Sequence, residues 1–185
     1  MKIEIISGSP RRKSTTVREA VFLQKLLTER TDHEVGLIDL REYDLPPVQE
    51  VFMAPHLAPA EYQELATRIF EAQAFILVTP EYNGSYTPDL KNLLDHFPKQ
   101  NHKVFGLVTA SPGALCGVRA AMQLQQLVFA LFGVGSPHML ITPQVDKKFD
   151  AAGNLIDPSF EKSVDVFVNE FLWLAEKVVE EKVAA

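Results

Sequence analysis

The sequence predicts an α/β protein: a doubly wound parallel sheet of five strands in the order 2-1-3-4-5, with helices on both faces as a three-layer α/β/α arrangement. Short apolar runs alternate along the chain with longer segments of helical periodicity. The runs mostly lack polar alternation, which is typical of strands that are buried on both faces. Five strands alternating with five helices form a parallel sheet, and one reversal of the crossover direction gives this order.

Each of the five predicted strands is too short for a typical helix. They cover Lys2 to Ser7, Glu34 to Leu40, Ala74 to Thr79, Val104 to Ala110 and Pro137 to Thr142. In this strand order the loops that follow strands one and three are neighbours at the switch point of the sheet, which is where such sheets form their ligand crevice.

Five helical segments fill the intervals between the strands. Apolar periodicity and chain order place them at Ser14 to Arg30, Tyr62 to Ile69, Leu90 to Phe97, Val118 to Phe132 and Val164 to Val179. Thr87 ahead of Pro88 is a start signal for the third helix, and Asp157 ahead of Pro158 is a start signal for the last.

Two stretches fall outside the alternation. Arg41 to Pro59 is rich in proline. Gln144 to Asp157 contains Asp150, Gly153 and Asn154, residue types that favour a turn between two short extended pieces. Both stretches are predicted as surface loops.

Composition indicates one globular domain over residues 1–185. A chain of 185 residues, 46% hydrophobic and 23% charged, can bury about 70% of the surface that its unfolded form exposes. Its one cysteine, Cys116, excludes an internal disulfide and suits the reducing cytoplasm. The five histidines lack metal-ligand spacing, so no metal site is expected.

Charge and hydropathy exclude two classes of partner. The formal net charge of −6 opposes binding to nucleic acid. No apolar stretch approaches the roughly 20 residues of a membrane-spanning helix, and the chain begins directly with strand-like sequence. We therefore expect a cytoplasmic protein with neither nucleic acid nor membrane as a partner.

The loop from Gly8 to Thr16 leads from the first strand to the first helix. Its polar residues are Ser9, Arg11, Arg12, Lys13, Ser14, Thr15 and Thr16. A helix start adds unpaired N–H groups and the positive end of the dipole, so the loop predicts a phosphate-monoester site. The second glycine of a nucleoside-triphosphate P-loop is missing, so ATP or GTP hydrolysis is not expected. A solvated turn with a helix cap is the alternative.

Two further loops belong to the same edge of the predicted sheet. In Pro80 to Ser85, asparagine and glycine permit left-handed turns, while Tyr82 and the nearby Tyr86 offer flat surfaces that suit a planar heteroaromatic ring. Ser111 to Gly117 follows the fourth strand and offers small residues with free amides. Each loop alone is typical of an ordinary turn, but together the three predict one ligand site.

These motifs resemble those of the NAD(P)H-dependent FMN reductases, flavodoxin-like enzymes that include quinone, chromate and azo-dye reductases. The matching residues are Gly8, Ser9, Arg11 and Ser14 in the phosphate loop, Pro80-Glu81-Tyr82-Asn83 in the flavin-ring loop, Leu90-Lys91-Asn92 with Asp95 in the helix that follows, and Ser111 with Gly113 in the third loop. The resemblance spans nearly the whole chain.

The resemblance implies a cofactor, FMN, a co-substrate, NAD(P)H, and three groups of site residues. Ser9, Arg11, Ser14, Thr15 and Thr16 would hold the FMN phosphate, Pro80, Glu81, Tyr82, Asn83 and Gly84 would lie along the flavin ring, and Ser111, Pro112 and Gly113 would lie on its far side. Hydride would pass from NAD(P)H through FMN to a small acceptor such as flavin, quinone, chromate or an azo compound. Because the flavin carries this chemistry, no catalytic side chain is expected.

The chain departs from the family pattern at two places. Thr16 stands where the family commonly has asparagine, and Thr87-Pro88 replaces a common Pro-Gly, which predicts a different path at the exit of the ring loop. The physiological acceptor, the choice between NADH and NADPH, and any tuning role of Cys116 or Glu81 stay open.

Two other functions occur with this fold. A flavodoxin-type electron carrier with the same fold and loops is the alternative function. A phosphorylation receiver needs acidic residues where this chain has Ser7, Gly8 and Ser9, so this function is not expected.

The segment from Val118 to Phe132 is apolar over more than one helical face, which predicts an interface between copies of the chain. The resemblance implies that the assembly is a homodimer or a homotetramer.

Overall fold

A computed structural model describes residues 1–113 and 116–184, and within them six parallel strands form one sheet. The strands are β1 (Lys2–Ser7), β2 (Glu34–Asp39), β3 (Ala74–Thr79), β4 (Val104–Ser111), β5 (Val134–Gly135) and β6 (Leu140–Pro143). Their order is β2-β1-β3-β4-β5, and β6 also pairs with β4. The predicted α/β class and the predicted strand order are confirmed.

The last sheet position differs from the prediction because two short strands, β5 and β6, occupy it. Phe105 pairs with Gly135, and Val108 pairs with Leu140. Between these two pairings β4 advances by three residues, whereas the segment that leads from β5 to β6 advances by five. The two extra residues form a bulge in the ladder. Pro137 lies in this bulge, where its missing N–H group costs the ladder nothing.

Six α-helices lie within the described residues. They are α1 (Thr16–Arg30), α2 (Gln63–Glu71), α3 (Pro88–Asp95), α4 (Val118–Ala130), α5 (Val145–Lys148) and α6 (Glu161–Ala184). The five predicted helices are present, and the single turn of α5 was not predicted. None of the helices in the described part of the chain combines the length and the apolar character needed to cross a bilayer.

Both predicted start signals act as helix caps. Thr87 Oγ1 accepts a hydrogen bond from the Leu90 amide at 3.3 Å, so the hydroxyl satisfies one of the unpaired N–H groups at the start of α3. Asp157 Oδ1 accepts from the Ser159 amide at 3.0 Å and opens a 3-10 turn that leads directly into α6.

Each face of the sheet carries its own hydrophobic core. Phe75 and Leu77 of β3 pack into one core with α2, α3 and α4. Ile76 and Val78 of the same strand pack into the other core with α1 and α6. The central strands β1, β3 and β4 are thus buried on both faces, which is why their sequences mostly lack polar alternation. At Gly106 of β4 a side-chain Cβ would lie 2.9 Å from the Phe167 ring, so glycine makes room for α6.

The prediction of two simple surface loops was wrong in part, because both stretches contribute apolar residues to the cores. Phe52 lies in the first core and Phe149 in the second. The turn predicted near Asp150 and Gly153 is present: the Gly153 amide donates to the Asp150 carbonyl at 3.1 Å. Phe149 and Leu155 form the antiparallel bridge that closes the turn.

The proline-rich stretch is also held from outside, by Asn92 of α3. The Asn92 amide group donates to the carbonyls of Leu45 at 3.1 Å and Pro46 at 2.9 Å. Its oxygen accepts from the Val48 amide at 3.1 Å. One side chain therefore makes three hydrogen bonds that fix this stretch against α3.

Candidate functional site

The loops after β1 and β3 are joined at the carboxyl edge of the sheet. The Gly8 amide donates to the Val78 carbonyl at 2.8 Å. Thr87 is fully buried, and its hydroxyl donates a hydrogen bond to the Gly8 carbonyl. The same hydroxyl oxygen accepts a hydrogen bond from the Leu90 amide. The Thr87 amide donates to Thr79 Oγ1 at 3.3 Å. Sequence reasoning gave Thr87 only the capping role and missed its link to the first loop.

The first loop ends in a turn that leaves donors unused at the start of α1. The Ser14 amide donates to the Arg11 carbonyl at 2.9 Å, and Ser14 Oγ accepts from the Val17 amide at 3.4 Å. Within the described residues, the amides of Thr15 and Thr16 donate to no protein acceptor. Such free N–H groups at a helix start can bind an anion.

The remaining polar side chains of this loop differ in exposure. Ser9 and Thr16 are buried, whereas Arg11, Arg12 and Lys13 are exposed. The Arg11 guanidinium lies 4.6 Å above the centre of the Tyr82 ring. This cation–π contact connects the predicted phosphate loop to the predicted ring loop.

The ring loop forms a tight two-residue hairpin. The Tyr82 amide donates to the Ser85 carbonyl at 2.8 Å, and the Ser85 amide donates back to the Tyr82 carbonyl at 3.1 Å. Asn83 and Gly84 between them have φ angles of 50° and 87°, so both adopt the left-handed backbone that the sequence predicted. In the described structure the buried Tyr82 hydroxyl contacts no hydrogen-bonding partner.

The third loop follows β4. Of its predicted residues, Ser111 is half-buried, and Pro112 and Gly113 are exposed. The Gly113 amide donates to Ser111 Oγ at 3.0 Å. Ala114 and Leu115, which the prediction includes in this loop, lie outside the described residues.

The chain enters α4 through Cys116 and Gly117, which both have positive φ angles of 60° and 78°. Thr109 Oγ1 donates to the Cys116 carbonyl at 2.8 Å and fixes this entry. Burial raises the pKa of the Cys116 thiol. The thiol therefore carries less thiolate at neutral pH than a free cysteine, which is the opposite of a reactive nucleophile.

An ion pair that sequence reasoning missed connects the ring loop to α4. Arg119 Nε donates to Glu81 Oε1 at 2.8 Å, and a second guanidinium nitrogen lies 2.5 Å from the same oxygen. The Glu81 side chain is 12% exposed and that of Arg119 is 67% exposed. The partners lie 38 positions apart in sequence, so local patterns give no signal for the pair.

A buried carboxyl group lies one turn into α1. Glu19 is fully buried, and its Oε1 accepts from Thr142 Oγ1 at 2.6 Å. Its Oε2 has no partner among the described residues. Burial raises the Glu19 pKa to about 8, although the Thr142 hydrogen bond and the charge of Lys148 act in the opposite direction. The group is thus protonated at neutral pH.

Fold and site together define a class. A flavodoxin-like sheet carries a helix start with unused amides beside a tyrosine-bearing hairpin, at the switch point between β1 and β3. The sequence profile of the family described as NADPH-dependent FMN reductase matches residues 1–145. The chain belongs to this family, and the resemblance drawn from its motifs is confirmed.

Three proteins of known name illustrate the relationship. An FMN-dependent NADPH-azoreductase of Staphylococcus saprophyticus is 30% identical over 179 residues, covering 93% of this chain and 94% of that protein. The structure of FerB, a flavoenzyme NAD(P)H:(acceptor) oxidoreductase from Paracoccus denitrificans, superposes with a TM-score of 0.78 at 26% identity, covering 95% of this chain and 97% of FerB. A mutant flavodoxin from Pseudomonas aeruginosa has a TM-score of 0.56 at 20% identity, with 97% of each chain covered, and shows a shared fold.

Family membership also bears on the cofactors. FMN and NADPH are the reactants for which the family is described. The expectation of an oxidoreductase that uses FMN, with NAD(P)H as its electron donor, is confirmed at this level.

Proposed function

We propose that this chain is an NAD(P)H-dependent FMN reductase that passes electrons from the nicotinamide nucleotide through FMN to a small acceptor. Free flavin, quinones, chromate and azo compounds are the candidate acceptors. The observation that carries the proposal is the contact between the Arg11 guanidinium and the Tyr82 ring, 4.6 Å apart. It supports the proposal because it joins the loop that we assign to the phosphate and the loop that we assign to the ring, and FMN has a phosphate at one end and a ring at the other.

The first loop fits the phosphate end of FMN. The unused amides of Thr15 and Thr16 at the start of α1 can donate to phosphate oxygens. The hydroxyls of Ser9 and Ser14 and the guanidinium of Arg11 lie on the same loop and can add charge-assisted hydrogen bonds. Thr16 stands where the family commonly has asparagine, so we assign its backbone amide, which donates to no acceptor among the described residues, to phosphate binding.

The second and third loops fit the flavin ring. We assign the backbone of Pro80 to Gly84 to one edge of the ring, because the left-handed turn at Asn83 and Gly84 can present backbone amides to a ligand. The buried Tyr82 hydroxyl, which has no partner in the described structure, offers a further polar group. Ser111 to Gly113 are assigned to the far side of the ring.

The bound FMN would accept a hydride from NAD(P)H and pass electrons on to the acceptor. The protein's part is to bind the cofactor, to orient its ring and to leave one face open to both substrates in turn. Because the cofactor would carry the redox chemistry, no general acid or base is required among the side chains of the three loops. The half-buried Cys116 has a raised thiol pKa, and we assign it no role in the chemistry.

The proposal is tested with the purified protein. We expect the protein to bind FMN in a fluorescence-quenching titration. With FMN bound, it should oxidise NADPH or NADH when a quinone or an azo dye is added, and the ratio of the turnover rates ranks the acceptors. A protein that binds FMN but gives no turnover with either nucleotide is an electron carrier of the flavodoxin type, and that result refutes the proposed reaction.

The proposed assembly is a homodimer or a homotetramer formed through α4. Its outer face carries the exposed apolar side chains of Val118, Met122 and Phe129, the last of them 78% exposed, and Phe132 follows at the end of the helix. Monomeric proteins rarely expose such a contiguous apolar surface. The single domain over residues 1–185 and the location in the cytoplasm stay predictions from the sequence.

A further inference from the structure

We infer that Arg119 is a positioning residue that holds the ring loop in its FMN-binding conformation by pairing with Glu81. This inference deepens the proposed FMN-dependent function and rests on it. Arg119 itself belongs to none of the three loops, because it lies in the first turn of α4. Its guanidinium reaches Glu81 through two nitrogens, at 2.8 and 2.5 Å from the same carboxylate oxygen.

The geometry connects the two loops that flank the proposed ring site. Glu81 directly precedes the Tyr82–Ser85 hairpin, so fixing its side chain fixes the base of the ring loop. Arg119 lies two residues after Gly117, where the third loop enters α4. At Gly84, at the tip of the hairpin, an added side-chain Cβ would lie 4.0 Å from Arg119 Cδ, so the arginine stem lies near the same turn. One side chain therefore pairs with the base of the ring loop and lies close to its tip.

Burial explains why the carboxylate needs this partner. The Glu81 side chain is 12% exposed, and among the described residues Arg119 is the cation that lies within ion-pair distance of it. An unpaired and mostly buried carboxylate repels negative charge in its surroundings and is costly to hold in place. Reduction adds electrons to a bound flavin, so the positive charge of Arg119 would favour the reduced form of the cofactor. Through its pair with Glu81, Arg119 also stabilises the loop geometry. Arg119 then affects both the affinity for FMN and its midpoint potential.

The test compares Arg119→Ala with the wild type and with Arg30→Ala. The control removes the surface ion pair between Arg30 and Asp165, which has a distance of 2.7 Å and lies between α1 and α6. We expect Arg119→Ala to weaken FMN binding by about three- to tenfold, since the pair is partly exposed to solvent. Its bound FMN should have a more negative midpoint potential. Arg119→Lys should recover part of both losses, and Arg30→Ala should change neither.

A measurement without cofactor examines the loop itself. In the FMN-free protein, the amides of Tyr82 and Ser85 should exchange with solvent faster in Arg119→Ala than in the wild type, because their hairpin loses its anchor. Glu81→Gln provides a second background: without the carboxylate there is no ion pair to break, so Arg119→Ala should no longer speed the exchange of these amides. An acceleration of the same size in both backgrounds overturns the inference.

The outcomes separate this inference from the proposed function. Wild-type protein that fails to bind FMN overturns both. Wild-type protein that binds FMN, together with an Arg119→Ala variant of unchanged affinity, potential and amide exchange, overturns the role of Arg119 alone. Weaker binding, a more negative potential and faster exchange in Arg119→Ala, all absent in Arg30→Ala, support it.

Discussion

Replacing Glu19 with glutamine should remove a large pH dependence from the stability of this protein. Glu19 is fully buried on α1, accepts a hydrogen bond from Thr142 and has a pKa raised by burial from 4.5 to about 8. Between these two values the folded protein keeps a proton that the unfolded chain releases. The free energy of unfolding therefore falls as the pH rises, and the loss is complete once the pH exceeds the folded pKa.

The magnitude follows from the two pKa values. Each pH unit between them costs about 1.4 kcal/mol, so raising the pH from about 5.5 to about 7.5 should cost about 3 kcal/mol of stability. The whole interval gives an upper limit on the order of 5 kcal/mol. Glutamine has the shape of the protonated carboxyl, and its amide oxygen can still accept from Thr142. The variant should thus match the wild type at the acidic end and exceed its stability at neutral pH.

The assay is urea unfolding of both proteins at a series of pH values. The difference between the two curves isolates Glu19, because all other titrating groups are shared. Glu29→Gln, at an exposed position of the same helix, serves as the control for losing one carboxylate. If the free energy of unfolding depends on pH in the same way for wild type and Glu19→Gln, with unchanged denaturant slopes, that result would falsify the claim that burial keeps this group protonated.

Three further predictions concern the site, the loop and the assembly. Arg11→Ala should weaken FMN binding by about 1.5–3 kcal/mol, the range of a charge-assisted hydrogen bond, in a fluorescence titration; an equal effect of Arg12→Ala would show that only the net charge of the loop matters. Asn92→Ala removes three hydrogen bonds and should lower the stability by about 1–3 kcal/mol and speed proteolysis of the stretch that it holds; the exposed Asn101→Ala is the control, and equal cleavage rates would contradict this role. Phe129→Ser should reduce the mass measured by light scattering towards that of one chain, and a wild-type mass of one chain rules out the proposed oligomer.

The strands were predictable because burial on both faces leaves a strong local pattern. Strand β3, from Ala74 to Thr79, was predicted with the bounds that the structure has, and its residues alternate between the two cores. The anchors of the long loops were not predictable, because buried residues such as Phe52 and Phe149 are too few in these stretches to form a recognisable helical or strand period. The division between β5 and β6 was missed because a bulge depends on how two strands align, which neither strand encodes alone.

For the candidate site, the sequence determined which loops could bind a ligand. A strand end followed by polar, glycine-bearing residues and a helix start is a local pattern, and so is the left-handed turn at Asn83 and Gly84. Their placement side by side followed from the strand order, which could be inferred from the number of strands and crossovers.

The tertiary structure alone decided the contacts that hold these loops together. Thr87 meets Gly8 across 79 positions of sequence, Arg119 meets Glu81 across 38, and Thr142 meets Glu19 across 123. Each contact joins groups that belong to different strand–helix units. Local sequence specifies each unit, but only the packing of helices on the twisted sheet sets the distances between side chains of different units.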